Sequence, residues 1–286
     1  MRSLPIPRIT SDWWTIARSP DLGSINAKNQ QAVDFSIWCA ADHTWQLGAC
    51  IRNTAVGGHG RLLYRWESDE LTKASWRPAG VLLQADAHFG ESHGGLQAPF
   101  VIEHYSRYHM FYGGWRSICS AASADGKTFA RKLNRQRQSQ TFPNAEDALL
   151  RDPMVIFWKG KYFMYYTHEQ GGSGAICARS SSDLLTWSQS QTVNRGGNAG
   201  NGPADAECAF VFPQDDSLLL FRWDERGITT IYRSTDPLNF GIDHDQFKVG
   251  ELPFECVRII QEKNRLYLAS LHEDYSGIKM ACMEWH

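Results

Sequence analysis

The 286-residue chain has no surplus of charge, no long apolar run and no paired-cysteine motif. Each absence removes a class of function. Lys and Arg number 29 against 31 Asp and Glu, a formal net charge of -2, so no cationic excess exists to displace counterions from a nucleic acid. No run of about 18 apolar residues occurs, which leaves no candidate for a spanning helix and no membrane partner. The opening MRSLPIPRIT has no apolar leader core. A cytoplasmic location is expected, or a secreted or periplasmic one if a signal peptide has been removed. The seven Cys (39, 50, 119, 177, 208, 256 and 282) are odd in number and never spaced as CxxC or as a Cys/His ligand set. They read as small buried hydrophobes, and no metal ligand set or cofactor is expected. Gly171-Gly172-Ser173-Gly174 and Gly196-Gly197 lack the strand-to-helix setting and the Lys-Ser/Thr of a phosphate cradle and read as flexible loops. Gly-x-Ser-x-Gly is missing, which removes the usual serine-hydrolase elbow.

What the chain does have is aromatic residues, 12% of the total with 11 Trp, the composition of pleated, ring-packed β structure. From Ala148 to Thr167 the sequence ALLRDPMVIFWKGKYFMYYT reads as an apolar strand, a tight Lys159-Gly160-Lys161 turn and an aromatic strand, a β-hairpin. The same sentence is written five times, its first strands starting near residues 34, 98, 152, 207 and 255, at steps of 64, 54, 55 and 48 residues. A loose period near 50 with about four short strands per unit predicts an all-β, five-bladed β-propeller. A pair of β-sandwich domains would explain the strands but not their ordered recurrence. The whole of 1–286 is expected to form one domain, with a lead-in over 1–32 supplying the outer strand of the last blade. Ser-x-Asp turns at Ser123, Ser182 and Ser234 are expected to lead into the outer strands, each followed by an aromatic ring.

In a propeller the first strand of each blade lines the axis and the second returns to the same mouth. The first-strand starts offer Asp34, Gln97 before Ala98, Asp152, Glu207 and Glu255. The second-strand ends offer Arg52, Trp115-Arg116, His168, Arg222-Trp223 and His272. Clustered carboxylates push their pKa values apart, so that one can hold a proton while another is ionised. Glycosidic bond cleavage needs that division of labour. Trp115 and Trp223 would stack on sugar faces, and the arginines would hold hydroxyls or a carboxylate. His88, His93 and Gly94-Gly95 lie in a longer loop expected to form a rim.

Arg151-Asp152-Pro153 and Glu207-Cys208 resemble the RDP and EC motifs of glycoside hydrolase families 32 and 68. The Asp, Asp, Glu order over blades one, three and four is similar to that of family 43, and the hairpin QAPFVIEHYSRYHMFYGG looks more like family 43 than family 32. The resemblance spans roughly residues 33–285. It implies Asp34 as the base that activates water (family 43) or the nucleophile (family 32), Glu207 as general acid, and Asp152 as a group that tunes the acid or holds sugar hydroxyls. Glu255, a second Glu-Cys, is the alternative acid or a substrate contact. His272 would bind substrate or, as in some family 43 members, a central cation through waters. Gln97, Trp115, Arg116, His168, Arg222 and Trp223 are expected to line the substrate site. The first blade, AVDFSIW, departs from the Asp-Pro of family 43 and the Asn-Asp-Pro-Asn of family 32, and no family 32 β-sandwich follows. The implied activity is hydrolysis of a terminal pentose- or fructose-like sugar from an oligosaccharide. The rivals are a glycoside phosphorylase using Arg52, Arg116 and Arg222 for phosphate, and a sugar-binding propeller without catalysis.

Overall fold

A computed structural model describes residues 6–143 and 148–286, so Pro5 of the lead-in lies outside the described residues. The fold is all-β, a five-bladed β-propeller built from five antiparallel meanders. Blade one comprises β3 (Gln31–Cys39), β4 (Trp45–Arg52), β5 (Leu62–Ser68) and β6 (Arg77–Leu83); blade two comprises β7 (Gln97–His104), β8 (Arg107–Gly113), β9 (Ile118–Ser123) and β10 (Ala130–Arg131). Blade three holds β11 (Leu149–Trp158), β12 (Lys161–Gln170), β13 (Ser173–Ser181) and β14 (Gln191–Asn194); blade four holds β15 (Glu207–Gln214), β16 (Ser217–Asp224), β17 (Ile228–Ser234) and β18 (Lys248–Leu252). The last sheet is β19 (Arg258–Glu262), β20 (Arg265–Leu271) and β21 (Gly277–Trp285), joined by β1 (Pro7–Ile9) and β2 (Trp14–Arg18) from the lead-in. β1 lies antiparallel to β21, with Pro7 opposite Trp285 and Ile9 opposite Met283. The lead-in thus contributes two strands to this sheet, where one was expected.

Local chemistry explains the hairpins. Lys159 and Gly160 both have positive φ, 46° and 86°, as a two-residue turn that follows the strand twist requires. The serine turns also form, with one shift of register. Ser123 Oγ donates to Asp125 at 2.6 Å and Ser181 Oγ to Asp183 at 3.0 Å, while the Asp236 N–H donates to Ser234 Oγ at 3.0 Å. The third-blade residue is therefore Ser181 and not Ser182, because the hydroxyl must lie two residues before the aspartate to close the turn.

The first strands carry the feature that matters most for function. Asp34, Ala98, Asp152, Cys208 and Cys256 all have left-handed backbones, with φ of 45°, 46°, 55°, 53° and 55°. In blades one, two and four the ladder slips there, between Val33 and Phe35, Gln97 and Phe100, and Glu207 and Phe210. This is a β-bulge, one extra residue that re-aims a side chain at the strand entry. It also corrects the sequence register in blades four and five. Cys208 and Cys256 are the equivalents of Asp34 and Asp152, whereas Glu207 and Glu255 sit one residue earlier, with Val33, Gln97 and Arg151. The expected row of four carboxylates at one strand position is two aspartates and two cysteines.

The described residues fall into two compact units. One comprises Thr15–Pro153 with His272–Ile278; the other comprises Met154–Leu271, the chain up to Trp14, and Lys279–His286. In the first, blades one and two are tied by Trp38 Nε1, which donates to the Gly126 carbonyl at 2.8 Å, and by the Val101 N–H on Ser36 Oγ at 3.3 Å. In the second, Tyr165 Oη donates to the Pro237 carbonyl at 2.9 Å and Thr167 Oγ1 to that of Ala206 at 2.7 Å, joining blades three and four. All seven cysteines are free thiols; five are buried, and Cys39 and Cys282 are half-buried. Burial pushes the Cys50 thiol up to about 12 and that of Cys119 up to about 11, the inert behaviour expected of packing residues.

His109 on β8 gives the fold a measurable acid sensitivity. Burial, followed by the charges of Lys132, His104 and Arg107, lowers its pKa to about 4. The unfolded chain, near the ordinary value of about 6.5, then binds more protons than the folded one between those limits. Stability present above that value is lost as pH falls through the window. The urea midpoint should drop between pH 7 and 4.5 by less in His109→Gln than in the wild type; equal drops would place the acid sensitivity elsewhere.

Candidate functional site

In the unit that carries blades one and two, the bulge at Asp34 opens on an arginine that strand-end reasoning missed. Arg61, the residue before β5, has its Nη1 4.0 Å from Asp34 Oδ2 and donates from the same nitrogen to Gln97 Oε1 at 2.7 Å. Gln97 is buried, at 4% exposure, so its amide is fixed by this bond. The Arg61 guanidinium carbon also lies 5.3 Å from the centre of the Trp115 ring, within reach of a cation–π attraction. Trp115 itself has φ of 80°, a strained conformation for a bulky residue of the kind that collects at binding sites. Asp34, Arg61, Gln97 and Trp115 are thus one connected group. The signal for Arg61 was in the topology: in an antiparallel meander the third strand starts at the end where the first starts and the second finishes.

Trp115 does not offer the open face expected of a sugar platform. His59 stacks on it, with ring centres 3.7 Å apart and planes at 13°. The His59 pKa is lowered by burial first and then by the charges of Arg61, Arg116 and His93. Arg116 is exposed beside this stack. Asp152 is buried, at 5% exposure. Arg52 is turned away to Gln31, to which Nε donates at 2.7 Å, and its guanidinium lies 4.7 Å from the Tyr275 ring centre. His272 is hydrogen-bonded through Nε2 to Thr15 Oγ1 at 3.0 Å.

In the other unit, Glu207 opens β15 half-buried, opposite Trp223 across the ladder. The Trp223 indole N–H is buried and finds no hydrogen-bond partner among the described residues. His168, near the end of β12, is half-buried, and burial and then the Arg179 charge lower its pKa. Glu255 precedes the left-handed Cys256, and its carbonyl accepts from the Ser270 hydroxyl at 2.6 Å. Two buried cations in this unit escaped the sequence reading. Arg258, at 6% exposure, donates to the carbonyls of Val257 at 2.9 Å and Cys208 at 3.3 Å, so it braces the backbone just after Glu207. Lys279, at 5% exposure, lies 4.8 Å from the Trp13 ring centre and 5.7 Å from that of Phe254, the neighbour of Glu255. Their signal was a charge inside an apolar strand, which is costly unless it is partnered.

Arg222 is a correction. It was expected to bind substrate, yet it is fully buried. Its Nε donates to the Asp205 carbonyl at 2.6 Å and Nη1 to Asn194 Oδ1 at 2.8 Å, and Nη2 donates to the carbonyl of Gly200. It is the hub that fixes the 194–205 loop, so Gly196-Gly197 belongs to a pinned segment and not a flexible one. Asp245 adds to the pinning by accepting the Asn198 N–H at 3.0 Å. Arg222→Met should cost about 3 kcal/mol, because each stranded buried carbonyl costs about 1–3 kcal/mol. Chemical denaturation measures it, and wild-type stability would mean that the carbonyls find other donors.

No protein-family model and no curated protein matches the chain in sequence. Solved structures do match it in fold. A family 117 glycoside hydrolase from the marine bacterium Zobellia galactanivorans is 11% identical, with a TM-score of 0.63 over 97% of this chain and 90% of that one. The endo-arabinase of Bacteroides thetaiotaomicron is 15% identical, with a TM-score of 0.66 over 92% and 98%. A thermostable family 43 glycoside hydrolase is 14% identical, with a TM-score of 0.64 over 95% and 92%. The chain therefore shares the five-bladed propeller fold of these proteins along nearly its whole length.

Proposed function

We propose that this protein is a glycoside hydrolase that removes a terminal sugar, pentose- or fructose-like, from an oligosaccharide. One observation carries the reading: Asp34 and Asp152 hold left-handed backbones at equivalent positions of their first strands, and Glu207 directly precedes the bulge of blade four. The blades hold this conformation at all five equivalent positions; what supports the chemistry is that in blades one and three the position is filled by the acidic pair it asks for. The likeness of fold to a family 43 glycoside hydrolase and an endo-arabinase supports the same reading.

In this mechanism Glu207 gives its proton to the leaving oxygen as the bond breaks. Asp34 activates water or attacks directly, and the Arg61 guanidinium 4.0 Å away supplies the compensating charge beside a carboxylate that must be ionised to act. Asp152 holds the sugar as positive charge develops on its ring. Retention or inversion follows from the carboxyl separation, about 5–5.5 Å or about 6.5–9.5 Å.

Asparagine tolerates the left-handed conformation as well as aspartate does, so Asp34→Asn should leave the bulge intact. Across a panel of aryl glycosides and short oligosaccharides, that variant should lose at least about 10²-fold in kcat. Glu207→Gln should lose as much on substrates with poor leaving groups and much less on activated aryl glycosides. Equal loss on both classes would remove Glu207 as the acid, and an active Asp34→Asn enzyme would overturn the hydrolase mechanism.

A further inference from the structure

We infer that the hydrolase proposed above acts on an acidic saccharide, whose carboxylate is held by His59, Arg61 and His93 on a double loop and by Arg116 beside it. The inference rests on that hydrolase reading and concerns the same site, since Arg61 is the residue that faces Asp34.

The loop is built to bring these groups together. Residues 53–61 and 92–95 run side by side, joined by the His59 N–H to the His93 carbonyl at 3.0 Å and the Arg61 N–H to the Gly94 carbonyl at 2.8 Å. Only glycine permits so close an approach. Gly58, at φ of 55°, would place a Cβ 2.0 Å from the His93 carbonyl oxygen, and Gly94, at φ of 60°, one 2.2 Å from that of Gly57. The backbone is thus fixed before any ligand arrives, and ordering costs on binding are small.

Two guanidiniums and two imidazoles gather at this frame. His59, His93 and Arg116 are exposed and Arg61 is half-buried. The carboxylate that meets Arg61 is that of Asp34, at the loose distance of 4.0 Å. Burial first, and then the charges of Arg61, Arg116 and His93, hold the His59 proton affinity down, and a bound anion would offset the charge part of that shift. A guanidinium fork takes a carboxylate with geometric specificity. His59 covers one face of Trp115, so that face does not stack on a sugar. The site therefore selects by charge, where the sequence reading expected ring stacking.

Oligogalacturonides and their methyl esters, matched in size and differing in charge, are the direct probes. Calorimetric titration should show the acids binding at least tenfold more tightly than the esters, with an affinity that falls as salt rises. The His59 imidazole resonances should move downfield with the acid, towards the protonated form. Arg116→Gln and His59→Gln, both at exposed positions, should each narrow the preference for acid over ester. Esters binding as tightly as acids would overturn the inference and leave the hydrolase reading standing. Inorganic phosphate moving the same resonances, with turnover dependent on phosphate and no preference for acids, would overturn it in favour of phosphorolysis. Failure of every saccharide in the panel, neutral or acidic, to bind or be cleaved would bring down the hydrolase reading and this inference with it.

Discussion

A single backbone conformation, the left-handed residue at the start of each blade, with a bulge in blades one, two and four, is the constraint on which the candidate site depends. The bulge inserts one residue into the ladder, breaks the alternation of faces and turns the side chains on either side of it in directions a regular strand would forbid. Aspartate adopts this conformation readily; alanine and cysteine do so at a cost of about 1–2 kcal/mol. That Ala98, Cys208 and Cys256 nevertheless hold it means the surrounding blade imposes the conformation whatever residue fills it. The blade supplies a geometric slot, and chemistry enters with the residue that occupies it.

Around these slots the protein uses buried cations as fasteners. Arg222 converts a glycine-rich loop into a fixed wall by donating to its carbonyls, and Arg258 does the same for the backbone behind Glu207. Each satisfies acceptors that would otherwise be stranded. Their number of donors suits them to this: a guanidinium has five N–H groups in a rigid fork. The double loop of blade one reaches rigidity by another route, through backbone contact that only glycine allows. Arg61 differs from the fasteners in keeping partial exposure, an ion pair, a bond to Gln97 and a ring contact at once, which places it on the functional side of the fold.

Much of this was legible in the sequence. The five-fold recurrence, the hairpin at Lys159-Gly160 and the strand entries at Asp34 and Asp152 follow from local pattern and turn chemistry, which depend on neighbours a few residues away. The register of Glu207 and Glu255 was not legible, because a bulge adds a residue without changing the apolar pattern on either side. Trp115 read as an open platform because nothing in its neighbourhood reveals that His59, more than fifty residues earlier, lies across it. Arg222 read as a binding residue because its position at a strand end is the same whether the side chain points to solvent or into the fold.

By itself the sequence determined the class of architecture, the number of blades and the two aspartates, Asp34 and Asp152, of the shared first-strand position. These are set by periodicity and by residue type. Tertiary structure alone decided which cations serve the fold and which face the site, and which glycines bring two loops into contact. It also decided that two of the five slots hold thiols. Those outcomes depend on which backbone carbonyls and rings come within a few ångströms across the chain, distances that no local pattern encodes.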